Sequence, residues 1–123
     1  MIRLLGVSAL LLSAPVFARS TNQSGERAFQ RCYSCHSVAK GEKGLSGPNL
    51  HKLAVRSVAS DPDFDYSKGF QDFAARNPRW TPDLLDRFLT DPEAVAPGNQ
   101  MGFFGLKDAK ERAAIIAYIM GSR

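Results

Sequence analysis

Both cysteines of the chain and one of its two histidines fall within six residues, Arg31-Cys32-Tyr33-Ser34-Cys35-His36. Three chemistries use such a set. A thiol-disulfide centre of Cys-x-x-Cys type normally opens a helix within a strand-helix-strand unit, and no strand pattern flanks Cys32. A closed zinc site takes four ligands in a tetrahedron. Only Cys32, Cys35, His36 and His51 are on offer, and adjacent Cys35 and His36 are awkward to aim at one ion. The third chemistry is covalent attachment of a haem. Cysteines three apart lie on one side of a helical turn, so their sulfurs can reach the two vinyl groups of the ring and form thioethers. His36, the next residue, can then swing beneath the ring and place an imidazole nitrogen on the iron. Cys-x-x-Cys-His is the attachment signature for haem of the c type, and it is the reading this spacing favours.

The compartment bears on the same question. Met1-Ile2-Arg3, an apolar run from Leu4 to Leu12, and Ser13-Ala14-Pro15-Val16-Phe17-Ala18 make a basic start, a hydrophobic segment and a small-residue cleavage site. Residues 1–18 therefore read as an export leader and 19–123 as the mature domain, placed in the periplasm. The apolar run is shorter than the roughly 20 residues of a membrane-spanning helix. Outside the cytoplasm a spare cysteine pair oxidises unless other chemistry claims it. The chain carries 16 Lys and Arg against 12 Asp and Glu; without Arg3 that is 15 against 12, a formal excess of +3. The basic residues are scattered, and Asp61, Asp63 and Asp65 crowd together. Nucleic-acid binding wants cations massed on one element among aromatics, so nucleic acid is excluded as a partner.

The elements that must position the motif are short. Gly25 to Arg31 reads as a helix leading into Cys32, anchored by Phe29. Lys40 to Pro48, rich in Gly and Lys, is loop; a long irregular region comes after it, with a turn at Asp61-Pro62-Asp63. Thr81, Pro82 and Asp83 are N-cap, first-position and first-turn residues for a helix. Leu84, Leu85, Phe88 and Leu89 give its apolar stripe, and Asp91-Pro92 stops it. Asp108 and Glu111 form a capping-box pattern before a last helix. There Ala113, Ile116, Ala117 and Met120 recur at helical spacing, and Ile115, Tyr118 and Ile119 widen the apolar face. Nothing alternates at period two. The class is all-α, one domain of three to four short helices and long loops, with a core small enough that a bound group would help to fill it.

From about Gly25 to Tyr118 the chain resembles a class I cytochrome c. Gly25 and Phe29 match the family's Gly-x-x-x-aromatic pair, and Tyr118 stands where the family packs its C-terminal helix on that pair. Gly47-Pro48-Asn49-Leu50-His51 is similar to the loop whose proline carbonyl, here of Pro48, accepts a hydrogen bond from the proximal histidine, here His36. Arg56, Tyr66 and Trp80 fall where the family places donors to the haem propionates. Pro97-Gly98-Asn99-Gln100-Met101-Gly102-Phe103 resembles the loop carrying the second axial ligand. The resemblance implies the cytochrome c fold wrapped around one haem c bound through Cys32 and Cys35, with His36 and Met101 as metal ligands. Met101 lies in a Pro/Gly-rich loop with no helical stripe to join, whereas Met120, on an apolar helix face, reads as core. The family carries a non-ligating histidine at the place of His51.

The function implied by the resemblance is one-electron shuttling between a donor and an acceptor protein, with membrane respiratory complexes or a dehydrogenase as candidate partners. With both axial positions filled there is no open site for catalysis, so the chain reads as a monomeric carrier and not an enzyme. Two alternatives remain: a haem subunit held permanently on a dehydrogenase or oxidase, and a ligand-binding or peroxidatic haem protein if Met101 is displaced. Mitochondrial-type members ring the haem edge with lysines; here Arg31 and Lys107 remain, while Glu93, Gln100 and Asp108 replace others. Phe88 stands where many relatives have a tyrosine whose hydroxyl approaches the methionine sulfur.

Overall fold

Gly25 and Phe29 lie one helical turn apart, and they decide how the ends of the chain meet. A computed structural model describes residues 17–122. In it, α1 (Phe17–Phe29) crosses α5 (Ala109–Met120) at Gly25. A Cβ on Gly25 would stand 2.6 Å from Cβ of Tyr118 and 2.8 Å from the Ala114 carbonyl, so only glycine lets the two backbones approach this closely. Phe29 is fully buried at the crossing, its ring 4.8 Å from Tyr33 and 5.3 Å from Tyr118. Of the expected leader, 1–16 lie outside the described residues; Phe17 and Ala18 begin α1. The helix expected to run to Arg31 ends at Phe29 and tightens into a 3-10 turn, Gln30–Cys32.

The capping residues act as their types predict. Thr81 accepts the Leu84 N–H at 3.1 Å and Pro82 opens α3 (Pro82–Thr90). Asp108 accepts the Glu111 N–H at 2.9 Å at the start of α5. Asp91 both ends α3 and caps a single further turn, α4 (Pro92–Val95), accepting the Ala94 N–H at 3.0 Å. α3 thus stops at Asp91-Pro92 as expected, and the same two residues start the next turn. The buried stripe of α5 is Ile115, Ile116 and Ile119; Ala113 and Ala117, expected on that face, are exposed, because the helix turns its bulkier isoleucines inward where it packs on α1 and α3.

One helix stands where irregular chain was expected. α2 (Lys68–Arg76) is capped by Ser67, which accepts the Phe70 N–H at 3.2 Å. Phe70, Phe73 and Ala74 pack it against the core. The segment carrying it closes at its base, where Ser57 and Arg79 form an isolated antiparallel bridge and Val58 N–H donates to Pro78 O at 3.0 Å. Among the described residues, five α-helices thus replace the three or four expected, and no strand forms. Phe73, Trp80 and Phe88 meet with ring centroids 5.3 to 6.1 Å apart, giving the interior an aromatic wall. No helix among the described residues is long and apolar enough to cross a membrane.

Candidate functional site

The turn carrying the cysteines is stitched to itself. Cys35 and His36 N–H groups both donate to the Cys32 carbonyl, at 3.1 and 2.8 Å, and Gly47 N–H donates to Cys35 O at 2.9 Å. This puts Cys32, Cys35 and His36 on the wall of one cleft, and the thiols are not joined to each other. Burial pushes the Cys32 thiol up from its usual value, while the hydroxyls of Ser46 and then Ser34 hold the Cys35 thiol down.

His36 is buried and its Nδ1 lies 2.7 Å from the Pro48 carbonyl oxygen. A carbonyl can only accept, so Nδ1 carries the proton and Nε2 keeps its lone pair. Burial lowers the pKa of the ring, partly offset by the Pro48 bond, which favours the neutral imidazole that a metal needs. A Cβ on Gly47 would stand 2.6 Å from His36 Cε1. His51 points elsewhere, its Nδ1 3.1 Å from Val38 O, and it does not line the cleft. Among the described residues no three His, Cys, Asp or Glu side chains gather around a metal-sized point, and the zinc reading ends there.

The cleft encloses about 1160 Å³ counting its open mouth. Met101 lines it together with His36, and so do Pro48, Arg56, Tyr66 and Trp80; every residue named from the sequence for this site is brought to one place. Tyr66 stacks on Phe70 at 5.5 Å and its hydroxyl accepts the Asp61 N–H at 3.1 Å. Arg56 Nη2 donates to the Asn49 carbonyl, but its Nε is buried without a partner. An orphaned buried cationic donor is costly, and an anionic group entering the cleft would satisfy it.

Asn49 was not singled out from the sequence. Its N–H donates to Asp61 Oδ2 at 2.7 Å, its amide reaches Ala39 O and Glu42 O at 2.7 and 3.0 Å, and its Oδ1 accepts the His51 N–H at 2.7 Å. An asparagine between a proline and an apolar residue in a loop was the available signal.

The sequence pattern of one protein family, Cytochrome c, matches residues 23–123. The chain belongs to the cytochrome c family. It is similar to cytochrome c2 of Agrobacterium tumefaciens, 37% identical over 98 residues that cover 80% of this chain and 88% of that protein. Cytochrome c2 of Rhodomicrobium vannielii is 34% identical over 112 residues, 91% of this chain and 87% of the relative. The solved structure of cytochrome c2 from Rhodospirillum centenum superposes with a TM-score of 0.73 at 30% identity, over 80% of this chain and 94% of that one. The fold is thus the all-α cytochrome c fold of the single-haem class, and the cofactor is one haem c bound through Cys32 and Cys35. The residues present fit that group: a largely apolar cleft for the disc, two free thiols on one wall, a neutral imidazole beside them, and an unpaired guanidinium nitrogen for an anionic edge. The chain is an electron-transport protein.

Proposed function

We propose that this cytochrome c is a diffusible one-electron carrier that works outside the cytoplasm, with His36 and Met101 as the two axial ligands. The observation that carries the reading is that one cleft is lined by both cysteines, by a His36 ring already oriented through Pro48 at 2.7 Å, and by Met101 from a separate loop.

The bound haem supplies the redox couple; the chain's residues tune it. The Pro48 carbonyl fixes the tautomer of His36 and raises its donor strength. The soft thioether of Met101 favours ferrous iron, and the apolar walls act in the same direction, because the ferric form carries the extra charge. Phe88 lines the cleft and has no hydroxyl to offer the sulfur. Arg56, whose Nε is buried without a partner, and Trp80 would hold the haem propionates, and Tyr66, which accepts from Asp61 N–H, would keep its own proton to donate to them. Were His36 and Met101 both to ligate the iron, no position on it would be left open to oxygen or peroxide, which favours electron transfer over catalysis.

Residues 1–18 are an export leader, the mature domain starts at 19, and the compartment is the periplasm. The donor and acceptor are redox proteins met by a monomer. Around the cysteine turn and the Met101 loop Arg31 and Lys107 are interleaved with Glu93 and Asp108, so charge steers these encounters weakly.

The absorption spectrum of the oxidised protein, made in a host with haem-attachment machinery, tests this. A low-spin spectrum with the weak far-red methionine-to-iron band is expected. A high-spin spectrum, or carbon monoxide binding by the reduced native protein, would move the function to ligand binding or catalysis.

A further inference from the structure

The loop that delivers Met101 has few backbone anchors. It leaves α4 through a turn with Pro97 and Gly98 at its centre, Gly98 at φ +76° and the Asn99 N–H donating to Ala96 O at 3.1 Å, the signature of a type II turn. It is caught again at Leu106, whose N–H donates to Leu89 O at 2.8 Å. Between these points Gly102 and Gly105 also sit at positive φ, +65° and +99°.

The remaining bonds converge on one carboxylate. Glu93, in the first turn of α4, accepts the Gly98 N–H on Oε1 at 3.0 Å and the Asn99 side-chain amide on Oε2 at 3.2 Å. The same Asn99 side chain turns its Oδ1 to the Met101 N–H, accepting it at 3.0 Å, and its amide also reaches Ala96 O at 3.0 Å. A chain of hydrogen bonds therefore runs from Glu93 through Asn99 to the backbone of Met101. From the other side, α2 presses on the turn: a Cβ on Gly69 would lie 2.2 Å from the Pro97 carbonyl oxygen.

We infer that Glu93 is a positioning residue that clasps the Met101 loop and so holds the thioether in place. The inference rests on the proposed ligation by Met101. It gives Glu93 a task distinct from the general benefit of an acid in a first helical turn, since the carboxylate's two oxygens bond two different groups of the loop. A ligand held by a preorganised loop resists competitors, because an added ligand binds only in the fraction of molecules whose methionine has left.

The test uses the haem-loaded protein, unsubstituted and as Glu93→Gln and Glu93→Ala. Two quantities are read: hydrogen exchange at the Gly98 and Met101 amides, with Ile116 in α5 as an internal reference, and the affinity of the ferric protein for imidazole. In Glu93→Ala both the exchange at Gly98 and Met101 and the imidazole affinity are expected to rise on the order of tenfold, the loss of a bond pair to a charged acceptor, with Ile116 unchanged. Glu93→Gln keeps one acceptor oxygen and falls between. Unchanged exchange and affinity in Glu93→Ala would overturn the clasp while leaving Met101 as ligand, and an equal rise at Ile116 would do the same by showing only global destabilisation. Absence of the far-red band from the unsubstituted protein would overturn the ligation first and the inference with it.

Discussion

Gly47 leaves no room for a side chain, and the reason is His36. A methyl group there would press on the ring at Cε1 and Nδ1, 2.6 and 2.9 Å away, and on the Cys35 carbonyl at 2.9 Å. The backbone atom cannot give way without tearing the turn that carries both cysteines. Gly47→Ala is expected to cost about 1–3 kcal/mol, the range for overpacking a filled site. Denaturant unfolding measures that cost, and the same variant should show a disturbed proximal-ligand signature in its absorption spectrum. Resistance to this substitution in both readouts would mean that the His36–Pro48 arrangement is more compliant than its distances imply. The other residues of the site divide by how they could be read. Cys32, Cys35 and His36 announce themselves by spacing. Asn49, Asn99 and Glu93 do not, because a polar residue that bonds backbone groups several positions away looks like any loop residue until the loop is folded.

Among the elements, the helix starts were legible and the helix faces less so. Asp108 caps α5, and the Glu111 N–H it accepts holds its carboxyl below the usual value of 3.8. An aspartate whose folded-state value is depressed binds fewer protons in the folded protein than in the unfolded one. Its contribution is therefore full above 3.8 and lost as pH falls through the folded value. The Glu111 amide should lose protection in acid, and Asp108→Asn, which caps without titrating, should flatten that dependence; amide exchange followed against pH reads both. A persistent dependence in the asparagine variant would assign it to other carboxylates. Glu111 itself, expected to complete a capping box, pairs instead with Arg31 across the α1–α5 corner. At this exposure such a pair contributes roughly 0–1 kcal/mol, yet it ties the cysteine turn to the last helix. α2 was hidden by its surroundings. Ser67 with Phe70, Phe73 and Ala74 is a capped helical stripe, but it is two turns long and set between turn-forming residues, so local periodicity had little length in which to declare itself.

For the molecule as a whole, the cleft lies where a larger domain would have its core. Phe29, Leu53, Trp80, Leu85, Phe88 and Ile115 belong both to the buried core and to the cleft wall. A chain of this size buries too little apolar surface to leave such a gap unfilled. The double variant Cys32→Ala, Cys35→Ala is expected to lose cooperative thermal unfolding and near-ultraviolet dichroism while retaining part of its helix content, the signs of a collapsed chain without fixed packing. A sharp melt with native dichroism would show that the protein packs without its haem. Arg112 marks the same dependence of parts on one another: its Nε donates to Asp86 of α3 at 2.7 Å and one Nη to the Leu106 and Lys107 carbonyls at 2.8 and 2.9 Å. One guanidinium thus joins α3, α5 and the end of the Met101 loop.

Residue order alone dictated the chemistry of attachment, because Cys-x-x-Cys-His is a local pattern whose spacing meets the covalent and coordination requirements within a single turn. It also dictated the caps of α3 and α5, where the deciding hydrogen bond spans three residues, and the all-α class. Pro48, Arg56, Tyr66, Trp80 and Met101 come from five separate stretches; resemblance to the family named them, no local spacing did, and only the folded chain brings them to the cleft with His36. Folding likewise buried Arg56 Nε unpaired and brought Glu93 onto the Met101 loop. Those are properties of distances between segments, set by how close Gly25, Gly47 and Gly69 allow backbones to approach, and no local pattern of residue types encodes a distance of that kind.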